Sequence, residues 1–195
     1  YLLLGEEYYY RGSYENASIA FRYIISADEA KKKEEARKKG YSYSHTKEAP
    51  SILEEEKSGF LKHKSVHNEA ILWLARTYTT ARQLDNTASI LSLLESDTRL
   101  PEELKGKLAI EKAFAHITER NYDAASAHLD IAVDDPYVPD WLRVRAAFLN
   151  GQIKQNRDEY LAAAESFERV LDFYPKIEMD FYTRKNIAYN KLMAS

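Results

Sequence analysis

The 195-residue sequence has no cysteine, which excludes disulfides and thiolate metal sites and leaves the redox compartment open. Long hydrophobic runs are also missing: none approaches the roughly 20 residues that cross a bilayer. No basic excess is present. Lys and Arg total 28 against 31 Asp and Glu, a net charge of −3, so neither a nucleic-acid nor an anionic-membrane surface is expected. Sustained period-two alternation bounded by turn residues is lacking, which argues against strands and makes the expected fold class all-α. There is no Gly-rich phosphate loop and no Ser in a nucleophile-elbow context, so no enzyme active site, and no cofactor, is expected here.

What the chain does have is a pattern that returns in four places. Leu4-Gly5, Tyr8, Gly12, Tyr14, Ala17 and Phe21 are matched by Leu74-Ala75, Tyr78, Leu84, Thr87 and Leu91. The third occurrence is Ala113, Tyr122, Ala125 and Leu129, and the fourth is Gly151, Tyr160, Ala163 and Phe167. The last bulky residues are spaced 91 − 21 = 70, 129 − 91 = 38 and 167 − 129 = 38. Three units are therefore adjacent, and the first step holds about one extra unit's worth of chain. Small residues on paired helices allow close approach, and the Phe or Leu knobs fill the groove beside them. Tyr14, Leu84, Tyr122 and Tyr160 are expected to open the second helix of each pair. Pro101, Pro136, Pro139 and Pro175 fall after second helices and before the next first helix, where a missing N–H ends one helix and admits another.

These residues resemble the tetratricopeptide repeat (TPR) family, whose units of about 34 residues are pairs of antiparallel helices. The resemblance covers most of the chain. It implies one TPR-like domain over 1–195: a right-handed superhelix of about four repeats, closed by a C-terminal helix near Phe181 to Leu192 that caps the stack or begins a further unit. Such arrays bind other molecules through their surfaces. Because the sequence opens inside a helical pattern at Tyr1 with no methionine, it is expected to be a piece of a longer protein, so a missing leader or anchor is uninformative.

The departure from the family is a charged insertion at 28–64. Asp28 to Lys39 are helix formers of mixed charge that would prolong the second helix of unit one, with Gly40 as its cap. Tyr41 to Pro50 read as a loop, and Ser51-Ile52-Leu53-Glu54 has capping-box spacing for another short helix. The segment is either a tolerated surface insertion or an arm that touches a partner.

Metal chemistry is not expected. His63 and His67 lie one helical turn apart but among Lys62 and Lys64, with no acidic ligand placed beside them. Asp134-Asp135 and Glu54 to Glu56 lack calcium-loop spacing and read as solvated. His116 and His128 fall at packing positions.

In TPR proteins the concave surface is lined chiefly by first helices. The resemblance therefore nominates Leu2, Glu6, Tyr9 and Tyr10 in unit one, Leu72, Trp73, Arg76, Thr79 and Thr80 in unit two, and Ile110, Phe114, Ile117 and Thr118 in unit three. Unit four stays open, because Leu149-Asn150-Gly151 departs by one residue from the Leu-Gly pair and two alignments compete. Fifteen tyrosines against seven phenylalanines and two tryptophans also suggest a Tyr-lined groove, since a Tyr ring packs while its hydroxyl stays wet. TPR domains that grip acidic chaperone tails use Lys and Asn at set positions; here Leu2, Glu6 and Trp73 occupy those places, which argues against a chaperone-tail clamp.

More narrowly, Tyr1 to Tyr14 together with Glu69 to Tyr78 resemble the TPR lipoproteins of the bacterial type IX secretion and gliding-motility machinery. That resemblance implies a periplasmic scaffold anchored at the outer membrane; without it, a cytoplasmic location is expected. The expected role is a protein–protein interaction scaffold that takes a peptide or folded partner in a helical groove. The alternative is a regulatory or assembly region of a larger enzyme or complex whose activity lies elsewhere.

Overall fold

The computed structural model describes residues 1–38, 66–98 and 100–195, and every regular element among them is helical. In chain order these are α1 (Leu2–Tyr10), α2 (Tyr14–Lys38), α3 (His67–Thr80), α4 (Leu84–Ser96), α5 (Glu102–Thr118), α6 (Tyr122–Asp134), α7 (Asp140–Gln155), α8 (Tyr160–Leu171) and α9 (Ile177–Met193). The helices form two compact units: Tyr1–Leu100 holds α1 to α4, and Pro101–Ser195 holds α5 to α9. Each has its own apolar core. That of the first includes Ala17, Phe21, Ile24, Ala70 and Leu74; that of the second includes Ala113, Leu129, Val144, Ile153 and Val170.

Tyr14, Leu84, Tyr122 and Tyr160 are the first residues of α2, α4, α6 and α8. Each follows a short turn, of three residues before α2, α4 and α6 and four before α8, in which the residue two places before the helix is left-handed: Gly12 (φ 75), Arg82 (φ 57), Arg120 (φ 61) and Asp158 (φ 61). The next N–H in each turn reaches back five residues, as in Gln83 to the Tyr78 carbonyl and Asn121 to the His116 carbonyl. This closure satisfies carbonyls that the end of the first helix would otherwise leave bare. First helices enter differently. Pro101 and Pro139 are the residues immediately before α5 and α7, and Pro175 precedes Lys176 at the start of α9.

Within the pairs, residue size is matched. Gly5 in α1 lies against the Phe21 ring of α2, where an added Cβ would come within 2.5 Å of a ring carbon. Gly151 in α7 meets Phe167 of α8 in the same way, at 2.8 Å from three ring atoms. Gly151 is thus the small residue of unit four, which resolves the two competing alignments. Ala75 and Leu91, and Ala113 and Leu129, hold the corresponding places and are all buried. Small residue and knob are sixteen positions apart every time (21 − 5, 91 − 75, 129 − 113, 167 − 151).

α9 begins four residues before the expected Phe181 and packs on α8, where Phe167 and Val170 are fully buried. α2 runs through Lys38, 25 residues against 12 or 13 for α4, α6 and α8. The proposed Gly40 cap, the loop at 41–50, the helix start at 51–54 and His63 lie outside the described residues.

Candidate functional site

The first unit gathers its nominated residues where α1 meets α3. Tyr9 is the hub. Its ring centroid is 5.4 Å from Trp73, 5.5 Å from Tyr10 and 5.7 Å from Tyr14, each contact edge-on. The Tyr9 hydroxyl is 3.0 Å from that of Thr80, which joins the two helices across 71 residues of sequence. Trp73 stacks on Phe21 at 6.0 Å and meets Tyr10 at the same distance, while the Arg76 guanidinium lies 5.1 Å from its ring centre. Arg over an indole face is a favourable cation–π arrangement. Tyr10 is 73% exposed, whereas Tyr9, Trp73, Arg76 and Thr80 are half-buried.

Glu6 lies on the same helix and is half-buried. Desolvation, reinforced by the negative charge of Glu69, holds its carboxyl above the ordinary value of 4.5. Neither Glu6 nor Glu69 has an ion-pair partner among the described residues. Leu2 packs against the core beneath the aromatics.

Two nominated positions do not line an open surface. Leu72 is 7% exposed and Thr79 is 1% exposed. Thr79 donates to the Ala75 carbonyl and lies 3.3 Å from the Thr87 hydroxyl of α4, so it belongs to the α3–α4 contact. The family register misplaces both residues because a residue one helical turn from an exposed one can still face a neighbouring helix. Trp73 is divided between two roles, since its contact with Phe21 makes it part of the core as well as of the surface.

In the second unit, Ile110, Phe114, Ile117 and Thr118 lie along α5 and are half-buried. Ile117 packs against the core, and the Thr118 hydroxyl turns back to the Phe114 carbonyl, as Thr80 does to Arg76. Nothing in this row matches the aromatic concentration of the α1–α3 cluster.

Sequence reasoning missed a polar network over α6, α7 and α8. Arg169 bonds Asp130 at 3.1 Å and also engages Asp134, and Lys154 reaches the Ser166 hydroxyl at 3.0 Å. Asp134 is therefore a paired carboxylate, and Asp135 accepts the Tyr137 N–H in the α6–α7 turn. The partners are 35 and 39 residues apart, so no local motif announces them. His116 and His128, read as packing residues, stack with ring centroids 5.4 Å apart and planes 3° from parallel. His67 is buried at the start of α3. Among the described residues no group of three His, Cys, Asp or Glu could hold a metal ion, and no helix is long and apolar enough to cross a membrane.

No family model, curated protein or solved structure matches the chain.

Proposed function

We propose that this chain is an interaction scaffold of TPR type, and that it recognises a peptide or folded protein partner through its first helices. The observation that carries this reading is the α1–α3 cluster, where Tyr9, Tyr10, Trp73 and Arg76 form one connected and partly exposed group. Stability does not require Tyr10 to lie edge-on to Trp73 in solvent. Aromatics with an Arg are the side chains that dominate binding hot spots, because they offer large contact area at low entropic cost.

The role in a bacterial secretion or gliding machine, with its periplasmic setting, rests on resemblance at Tyr1 to Tyr14 and Glu69 to Tyr78. Those stretches contain Tyr9, Tyr10, Tyr14, Trp73 and Arg76 of the cluster, but not Phe21 or Thr80. In the alternative reading the chain is an assembly region of a larger enzyme or complex.

The test is capture from extracts of the source organism by wild type and by Tyr10→Ala and Arg76→Ala. Trp73→Ala is unsuited, since losing its contact with Phe21 would also weaken the core. Both variants should melt like wild type and bind the captured partner about 1–3 kcal/mol more weakly. Full retention of binding by both would overturn the assignment of this face.

A further inference from the structure

We propose that α7 carries a second docking site, separate from the α1–α3 cluster, for an extended segment of a partner protein in which a carboxylate stands between two apolar residues. The site is the row Trp141, Arg145 and Leu149. At four-residue steps these side chains follow one another about 6 Å apart along the helix and within an arc of about 80°. All three are exposed, Trp141 at 59% and Leu149 at 37%. The rest of the helix is committed inward: Val144, Ala146, Ala147 and Ile153 are core residues, and Gly151 lies against Phe167 of α8. Trp141 has no such duty. No ring stacks on it among the described residues, and its one ring interaction is with the Arg145 guanidinium, 5.1 Å from the ring centre. An exposed indole beside an arginine adds little to the fold and is the pairing that dominates binding hot spots.

Charge selects the centre of the occupant. Arg143, on the same helix, shows a ring-held arginine with its acceptors in place. Its guanidinium lies 4.1 Å from the Phe173 ring centre, Nε donates to the Val133 carbonyl at 2.9 Å, and Nη1 donates to the Asp140 carboxylate at 3.2 Å. Arg145 has the ring without the acceptors. Among the described residues it has neither an ion pair nor a hydrogen bond, and Asp140, the one carboxylate on α7, is held by Arg143. A guanidinium steadied over an indole keeps its N–H edge for a planar acceptor, and a carboxylate takes it through two parallel bonds.

Spacing selects the flanks. In an extended chain alternate side chains share one face about 6.6 Å apart, close to the step along α7. Apolar, acidic and apolar residues at every second position therefore set the carboxylate on Arg145 and the apolar side chains on Trp141 and Leu149. Gln152 is exposed in the same arc, and its amide offers a donor and an acceptor to the backbone between them.

The probe is a display library of random short peptides, selected on the whole chain carrying Tyr10→Ala and Arg76→Ala so that the first unit's cluster does not compete. The selected peptides should carry Asp or Glu with an apolar residue two positions to either side. Synthesised with capped ends, they should shift the indole N–H resonance of Trp141, assigned through Trp141→Phe, and bind the wild-type chain as tightly as the selecting variant. Arg145→Glu should weaken binding at least about tenfold with its helical circular dichroism unchanged, and so should an amide in place of the peptide's carboxylate. Arg145→Lys should fall between, since an ammonium lacks the planar fork. The proposal is overturned if no acidic consensus emerges, if the acidic and apolar positions recur at the four-residue spacing of a helix, or if the peptides ignore Arg145→Glu or leave the Trp141 signal unmoved. Self-association of the free chain that Trp141→Ala abolishes would overturn it in favour of a second copy.

Discussion

Gly151 carries a cost in an α-helix that only its neighbour explains. Replacing a helical glycine with alanine usually gains about 1 kcal/mol, but here the new Cβ would meet three atoms of the Phe167 ring at 2.8 Å. Overpacking of that kind costs about 1–3 kcal/mol, so Gly151→Ala should be destabilising in urea melts, and Phe167→Ala should lose about 3–5 kcal/mol. In a Phe167→Leu background Gly151→Ala should become neutral or favourable, because that pair already exists as Ala75 with Leu91 and Ala113 with Leu129; additive losses would count against the size match. Glu6 gives a second residue-scale expectation. Its folded pKa is raised, so the unfolded chain ionises first and stability falls as pH climbs from 4.5 through the folded value. Glu6→Gln should therefore melt higher than wild type at pH 7, and the gap should close below pH 4.5. The small residues and the knobs were legible in the sequence. That Gly goes with Phe and Ala with Leu was visible only once sixteen-residue partners were seen in contact.

At the scale of the element, four turns share one backbone path but not one residue type. Gly12 is left-handed at little cost, whereas Arg82 and Arg120 bear a strain of about 1–2 kcal/mol. Setting the entropy of a glycine in the unfolded chain against that strain, Arg82→Gly and Arg120→Gly should each stabilise by about 0.5–1 kcal/mol in chemical denaturation. Asp158→Gly should gain less, since the Asp158 carboxylate accepts a 2.6 Å hydrogen bond from Tyr160. Unchanged or lowered midpoints for both arginine variants would contradict this account. The sequence announced the starts of α2, α4, α6 and α8 because an apolar residue at the turn has to close against the first helix. It hid the left-handed residues, because only the first is a glycine. α9 was legible as a helix but not in extent, since Ile177 and Glu178 add a turn that no apolar periodicity required.

For the whole molecule, the all-helical class follows from patterning, and every regular element among the described residues is a helix. The candidate surface was less legible, because first-helix register alone cannot separate Tyr10, in solvent, from Thr79, three residues from half-buried Arg76 and pressed against α4. Each compact unit has its own core, so residues 101–195 expressed alone should keep their helical circular dichroism and melt cooperatively. A non-cooperative melt would show that the second core depends on the first unit. The matched pairs also bear on how such a chain could change over generations. A duplication or exchange that moves a whole helix pair carries glycine and phenylalanine together and leaves their fit intact. One that breaks inside a pair can join an alanine helix to a phenylalanine helix and create a clash at once. The hairpin, and not the helix, is the smallest piece of this protein that can be inherited or transplanted as a working part.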